Sequence, residues 1–144
     1  MTTVRSVLQS KGNDVWSTAP DTLVFDALKV MAEKNVGALL VMEGNQLIGI
    51  FSERDYARKV ALKGESSHHI AIRNVMTSGV ISVTPDQSIE DCMALMTGKH
   101  IRHLPVLENS KLVGLISVGD IVKAVISQHE ETIKHLENYI TGAR

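Results

Sequence analysis

The chain repeats itself once, at a fixed offset of 65 residues. Residues 16–60 align with residues 81–125 without a gap, and fourteen of the 45 positions are identical. The matches include Pro20/Pro85, Asp21/Asp86, Asp26/Asp91, Met31/Met96, Leu39/Leu104, Val41/Val106, Gly49/Gly114, Ser52/Ser117 and Asp55/Asp120. Chance pairing gives about three matches at ordinary residue usage. A unit this long, present only twice, is not a solenoid, which stacks several short repeats. It predicts two small α/β units related by a pseudo-twofold axis, with anything they bind lying between them.

Each repeat carries the same parts. Thr18-Ala19-Pro20-Asp21 and Val83-Thr84-Pro85-Asp86 read as helix starts, with proline and an acid near the first turn. Apolar residues then recur at helical spacing: Val24, Ala27, Leu28 and Met31, and in the second copy Ile89, Cys92, Met93 and Met96. That predicts one buried stripe per helix, with Met31 and Met96 as core filler. Strands are expected over 37–42 and 103–107, then over 47–51 and 112–116. Glu43-Gly44-Asn45-Gln46 and Glu108-Asn109-Ser110-Lys111 form the hairpin turns between them. A further helix starts at Ser52 or Ser117. Each unit is thus β-α-β-β-α, and the class is α/β (α+β).

A matching lead-in precedes each unit, Val4-Arg5-Ser6-Val7-Leu8 and Ile72-Arg73-Asn74-Val75-Met76, at an offset of 68. The first copy therefore has three extra residues around 9–15. The polar stretch 63–71 reads as the linker. We expect a first unit over 1–66 including its lead-in, a second over 67–126, and a helical extension over 127–144. In that extension Ile126, Ile133, Leu136 and Ile140 are spaced as a heptad seam. The seam either packs on its own core or pairs with a second copy.

Composition narrows the function classes. The net charge of −1 argues against a basic nucleic-acid binder and gives no polybasic membrane signal. No apolar run approaches the roughly 18 residues of a membrane span, and the first ten residues lack a secretory apolar stretch. The single cysteine, Cys92, allows no internal disulfide and suits the cytoplasm. It lies on the buried helix stripe, with no base in evidence to make it a nucleophile. His100-x-x-His103 lacks the further ligands of a metal site. No Walker loop, G-x-G-x-x-G motif or Ser-His-Asp set is present.

The sharpest signature is Gly-x-x-Ser-x-x-Asp, at Gly49–Asp55 and again at Gly114–Asp120. It can be a capping box, with Ser as N-cap and the acid three residues on bonding back to the cap's N–H. It can also be a ligand motif. A strand-to-helix turn presents free N–H groups at a positive helix end, and a carboxylate on that rim can accept both hydroxyls of a ribose diol.

The duplicated unit resembles a tandem pair of CBS domains, the module named after cystathionine β-synthase. The resemblance runs from about residue 4 to 126. It rests on the Pro-Asp helix start, the strand Ile101-Arg102-His103-Leu104-Pro105-Val106, and Gly-x-x-Ser-x-x-Asp. The first repeat departs from it with Leu40 in place of Pro105, a change expected to alter strand hydrogen bonding only locally. The resemblance implies two units packed sheet to sheet in one compact domain, usually a homodimer. It also implies adenosine-type ligands in two clefts: AMP, ADP, ATP, NAD(H) or S-adenosylmethionine.

By the same resemblance Asp55 and Asp120 hold ribose hydroxyls, and Ser52 and Ser117 meet phosphate or ribose. Ala19 and Thr84 border the clefts. Val36, Gly37 and Ala38, and Ile101, Arg102 and His103, flank the base, while Ile50 and Leu115 line the apolar slot. The clefts should differ, because Arg54, Arg58 and Lys59 surround Asp55 where Gly119, Lys123 and Ala124 surround Asp120. Guanidinium groups bind phosphate in a bidentate fork. The Asp55 cleft is therefore expected to prefer the more highly charged ligand, and Arg102 to reach toward a phosphate. The expected function is a non-catalytic adenine-nucleotide sensor, with no catalytic cofactor or metal, that signals to an unidentified protein partner. The alternatives are a dimeric scaffold with vestigial clefts or a small nucleotide-processing enzyme using Asp55 or Asp120.

Overall fold

A computed structural model describes residues 2–141; the last three residues of the expected C-terminal extension lie outside the described residues. The elements follow the repeat. Helix α1 (Val4–Lys11) precedes strand β1 (Ser17–Thr18), helix α2 (Val24–Lys34) and the hairpin β2 (Ala38–Glu43) and β3 (Gln46–Ser52). Helix α3 (Glu53–Tyr56) runs on as a π turn over Ala57–Ala61. A 3₁₀ turn (Ile72–Asn74) then leads to α4 (Ile89–Lys99), the hairpin β4 (His103–Glu108) and β5 (Lys111–Ser117), and the long α5 (Val118–Thr141).

The two hairpins are copies in register. Ala38 pairs with Ser52 and His103 with Ser117, and both ladders shift at the same place, after Val41 and after Val106. Their turns solve the chain reversal differently: Gly44 takes φ 61° in the first, and Asn109 and Ser110 take 52° and 65° in the second. Beside them the halves diverge. In the first, β1 runs parallel to β2 and Leu40 donates its N–H to Trp16. In the second, Pro105 stands at that position and has no N–H to donate. There the pairing shrinks to one parallel bridge between Val83 and Val106. The Leu40/Pro105 difference is thus why one sheet has three strands and the other two.

Two expectations about the helices need correction. Pro20-Asp21 and Pro85-Asp86 do not begin helices; α2 and α4 start at Val24 and Ile89. The prolines hold the preceding turn, where their carbonyls accept from Arg73 N and Arg5 N, each at 2.8 Å. Ser88 then caps α4 in a box with Asp91, while Leu23 at the matching position offers no side-chain cap. Met93 is 39% exposed and lies off the buried stripe of Ile89, Cys92 and Met96. Its exposure leaves that stripe narrower than the sequence spacing suggests.

The lead-ins are exchanged in space. Val4, Val7 and Leu8 of α1 pack with Val83, Ile89, Leu104 and Ile116 in the core of the second repeat. Ile72 and Val75 pack with Val24, Leu39, Phe51 and Val60 in the core of the first. Matching hydrogen bonds hold both: Val4 N to Gln87 O and Arg5 N to Pro85 O, against Ile72 N to Thr22 O and Arg73 N to Pro20 O. This exchange explains the glycine of the repeated signature. A Cβ at Gly49 would stand 2.6 Å from Met76 Sδ, and one at Gly114 the same distance from Leu8 Cδ2. Each glycine is the notch that admits the lead-in. Among the described residues no helix is long and apolar enough to cross a membrane.

Candidate functional site

Both Gly-x-x-Ser-x-x-Asp segments are strand-to-helix turns, and in both the capping box is built. Ser52 donates from its N–H (3.0 Å) and its hydroxyl (3.1 Å) to Asp55 Oδ2, and its Oγ accepts from Asp55 N. Ser117 and Asp120 repeat the pattern at 2.8, 3.0 and 3.2 Å. The box engages one carboxylate oxygen, Oδ2, in each half, and the halves differ in what else the carboxylate meets. Asp55 Oδ1 accepts from Thr77 Oγ1 at 3.1 Å and pairs with Lys59 Nζ at 3.2 Å. Asp120 instead pairs through Oδ2 with Lys11 Nζ at 2.7 Å. Burial pushes the Asp120 carboxyl up, but Lys11 and the Ser117 donors outweigh it and hold the group below the usual carboxylate range.

A cavity of about 480 Å³ opens in front of Asp55. It is lined by Gly37, Ile50, Ser52, Glu53, Arg54, Asp55 and Thr77 from one side and by His100, Ile101, Arg102 and His103 from the other. It therefore lies between the halves. Ile50 and Ile101 supply apolar wall, Asp55 and Ser52 supply acceptor and donor, and two guanidinium groups supply positive charge. Arg54 spans the cavity rim and donates to His100 O at 2.7 Å. Arg102 is exposed and makes no ion pair among the described residues. Glu53 faces Gly37 so closely that a Cβ there would meet its carboxylate oxygen at 2.9 Å. Burial lowers the pKa of His103 below the ordinary 6.5; Asp120 opposes this, and Lys11, Arg102 and Arg54 add to it. His103 is thus the neutral imidazole of the site at pH 7.

Eight of the residues named from sequence meet in this cavity: Gly37, Ile50, Ser52, Arg54, Asp55, Ile101, Arg102 and His103. The others lie elsewhere. Val36 and Ala38 pack toward the core, and Ala19 and Thr84 sit on exposed loop. Arg58 is exposed and outside the lining, and Lys59 is spent on Asp55 and on Val75 O. The basic character expected around Asp55 therefore rests on Arg54 and Arg102 alone, with Glu53 set against them. Leu115, Ser117 and Asp120 lie outside this cavity, where Lys11 donates to Leu115 O at 2.8 Å and Asp120 borders a groove of about 230 Å³ between α1 and α5. Sequence reasoning missed Glu53, Thr77, His100 and Lys11. Thr77 directly follows the second lead-in, so the exchange of lead-ins would have placed it beside Asp55. A wider groove of about 760 Å³ lies at the hairpin ends and holds one charged residue, Glu43.

Comparison with known proteins identifies the unit. The profile of the CBS domain family matches residues 4–62 and again 72–127. The chain belongs to the CBS domain family. Its relatives include small CBS-domain proteins. A mitochondrial CBS domain-containing protein of Arabidopsis thaliana, CBSX3, is 41% identical over 98% of this chain and 73% of its own length. The solved structure of a protein with CBS domains from Burkholderia ambifaria MC40-6 is 50% identical, with a TM-score of 0.86 over 88% of this chain and 95% of that one. The CBS domain pair of protein MJ0100 was solved in complex with 5′-methylthioadenosine and S-adenosyl-L-methionine. At 21% identity over 86% of this chain and 99% of that one, with a TM-score of 0.77, it shares the CBS-pair fold.

Proposed function

We propose that this CBS pair is a regulatory module that binds an adenosine-type ligand in the Asp55 cavity and passes its occupancy to a partner protein. The observation that carries this reading is the Asp55 carboxylate, buried to 8% exposure at the wall of an inter-half cavity with Arg102 free on the other side. At about 480 Å³ the cavity falls within the roughly 300–1,000 Å³ of small-molecule sites. In the proposed complex a ribose diol takes the place of the Thr77 hydroxyl at Asp55 Oδ1. The base lies between Ile50 and Ile101, and Arg102 meets a phosphate or other anionic group. The complexes of protein MJ0100 with two adenosine derivatives support the ligand class. Asp55 is engaged with four donors, which suits an acceptor of hydroxyls and not a general base, so the reading assigns no catalysis. A ligand that touches both halves shifts their relative orientation only by its differential affinity for the two arrangements.

The same reading places the chain in a homodimer. Ile126, Ile133, Leu136 and Ile140 on α5 are each more than half exposed and share the heptad seam. The buried free thiol Cys92 supports a reducing compartment such as the cytoplasm. The test is calorimetry on ligand-free protein with adenosine, AMP, ADP, ATP, NAD⁺, NADH and S-adenosylmethionine. Saturable binding by one class is expected. Asp55→Ala should weaken it about ten- to a hundredfold, the equivalent of one charged hydrogen bond. Arg102→Met should weaken AMP more than adenosine. Binding of none of these compounds overturns the reading and leaves a scaffold.

A further inference from the structure

Two of the charges that line the Asp55 cavity have partners within the protein, and two do not. Asp55 is matched by Lys59, whose Nζ stands 3.2 Å from Oδ1. Arg54 donates to His100 O at 2.7 Å, at the C-terminal end of α4. Glu53 and Arg102 also line the cavity. Neither makes an ion pair among the described residues. They come from opposite halves, carry opposite charge, face one space and do not meet.

The place of Glu53 is built by its neighbours. It opens α3 directly after the Ser52 cap, and its N–H donates to Gly37 O at 3.1 Å. Gly37 leaves the room for its carboxylate. A Cβ at residue 37 would stand 2.9 Å from Glu53 Oε1 and 3.9 Å from His103 Cε1 and Nε2. The glycine is not required by its backbone, because its φ is not positive. The second half repeats the same backbone bond, Val118 N to Arg102 O at 2.9 Å, with valine where the first half has Glu53. The strand-to-helix turn therefore forms without an acid at this position, and the carboxylate is a property of the cavity.

We propose that Glu53 sets the charge limit of the Asp55 cavity, admitting adenosine derivatives with no more than one phosphate and excluding di- and triphosphates. The proposal rests on reading the cavity as an adenosine site. A single phosphate matches Arg102, the guanidinium of the lining without a protein partner. Burial keeps His103 neutral, so its imidazole adds no positive charge. Further phosphates could recruit Arg54 only by taking it from His100 O, and each would face Glu53. Groups inside a cavity of this size lie within about one screening length of its wall, roughly 10 Å at 0.1 M salt, so the repulsion is felt throughout. Selectivity then comes from a penalty on the wrong ligand, not from extra contacts to the right one. This reverses the preference for highly charged ligands expected from Arg54, Arg58 and Lys59. Of those three only Arg54 lines the cavity.

The test is calorimetry with adenosine, AMP and ATP on wild type and Glu53→Gln, in EDTA so that ATP carries no divalent cation. In wild type AMP should bind more tightly than ATP. Glu53→Gln keeps the size and removes the charge, and should raise the affinity for ATP relative to AMP about three- to thirtyfold. That gain should shrink as NaCl is raised from about 0.05 M to about 0.5 M, because it is electrostatic. ATP binding as tightly as AMP in wild type, or a ratio that Glu53→Gln leaves unmoved, overturns the proposal. A gain that persists at high salt assigns Glu53 a packing role and overturns it too. If any of these is found while adenosine or AMP binds, only the charge limit falls. If none of the three compounds binds, the adenosine reading falls and takes the proposal with it.

Discussion

Truncating Leu8 tests the exchange of lead-ins and its link to the repeated glycine. Leu8 is 5% exposed in the core of the second repeat. Leu8→Ala should therefore cost about 2–5 kcal/mol, the usual range for a buried leucine. Gly114→Ala alone should also destabilise. Its new Cβ would stand 2.6, 2.9 and 3.3 Å from Leu8 Cδ2, Cδ1 and Cγ, well inside ordinary contact, and overpacking of this kind costs about 1–3 kcal/mol. Truncation of Leu8 to alanine removes all three of these atoms. The double variant should then recover most of the Gly114→Ala penalty and refill part of the cavity, a coupling of about 1–3 kcal/mol. Denaturant unfolding at one fixed protein concentration measures it, with unchanged m-values as the control. The symmetric pair, Met76→Ala with Gly49→Ala, should couple less. There the new Cβ also meets the backbone carbonyl of Thr77 at 3.1 Å, which no side-chain truncation removes. Additive losses for Leu8 and Gly114 would mean that the lead-in does not sit against that glycine in solution, and the exchanged topology would be wrong.

Other perturbations probe the site and its frame. Because His103 has a lowered pKa in the fold, the unfolded chain takes up a proton first. Stability should be full above about pH 6.5 and fall as the pH drops from there through the lowered value; His103→Gln should flatten that part of the profile. Asp120 has the opposite sign, since its depressed carboxyl contributes stability above its ordinary pKa of 3.8 that is lost only in stronger acid. Ser88→Ala removes the capping box of α4 and should cost about 0.5–2 kcal/mol, whereas Leu23→Ala at the matching position removes no cap bond. Cys92 is fully buried and its thiol is pushed up to about 11 by burial, with Asp91 and Glu90 adding to the shift. Aromatic disulfide reagents should therefore leave it untouched in the native protein and titrate it in urea, and rapid native labelling would contradict that burial.

How much of this was legible in sequence follows from which interactions are local. Hairpins, helices and the capping turns repeat because their determinants are neighbours in the chain: Glu-Gly-Asn-Gln against Glu-Asn-Ser-Lys, Ser52 with Asp55, Ser117 with Asp120. The exchange of lead-ins is not local. Val4-x-x-Val7-Leu8 and Ile72-x-x-Val75-Met76 carry the same apolar pattern, so either segment suits either core, and only chain geometry decides between them. The glycines marked the answer without revealing it, since a conformational role and a notch for a distant side chain look alike in one sequence. Most of the cavity was legible for the same reason. Gly37, Ser52, Asp55 and Ile101 sit at repeated positions, whereas Thr77 is brought in by the exchange. Lys11 was the hardest to see. It lies in the stretch where the offset changes from 68 to 65, so alignment gives it no partner, and as a lysine at a helix end it looks like ordinary compensation of the helix dipole. Yet this unmatched residue breaks the symmetry that the duplication sets up. Two identical Ser-x-x-Asp turns become unlike because Thr77 and Lys59 meet Asp55 through Oδ1, whereas Lys11 meets Asp120 through Oδ2, the oxygen that the capping box already uses.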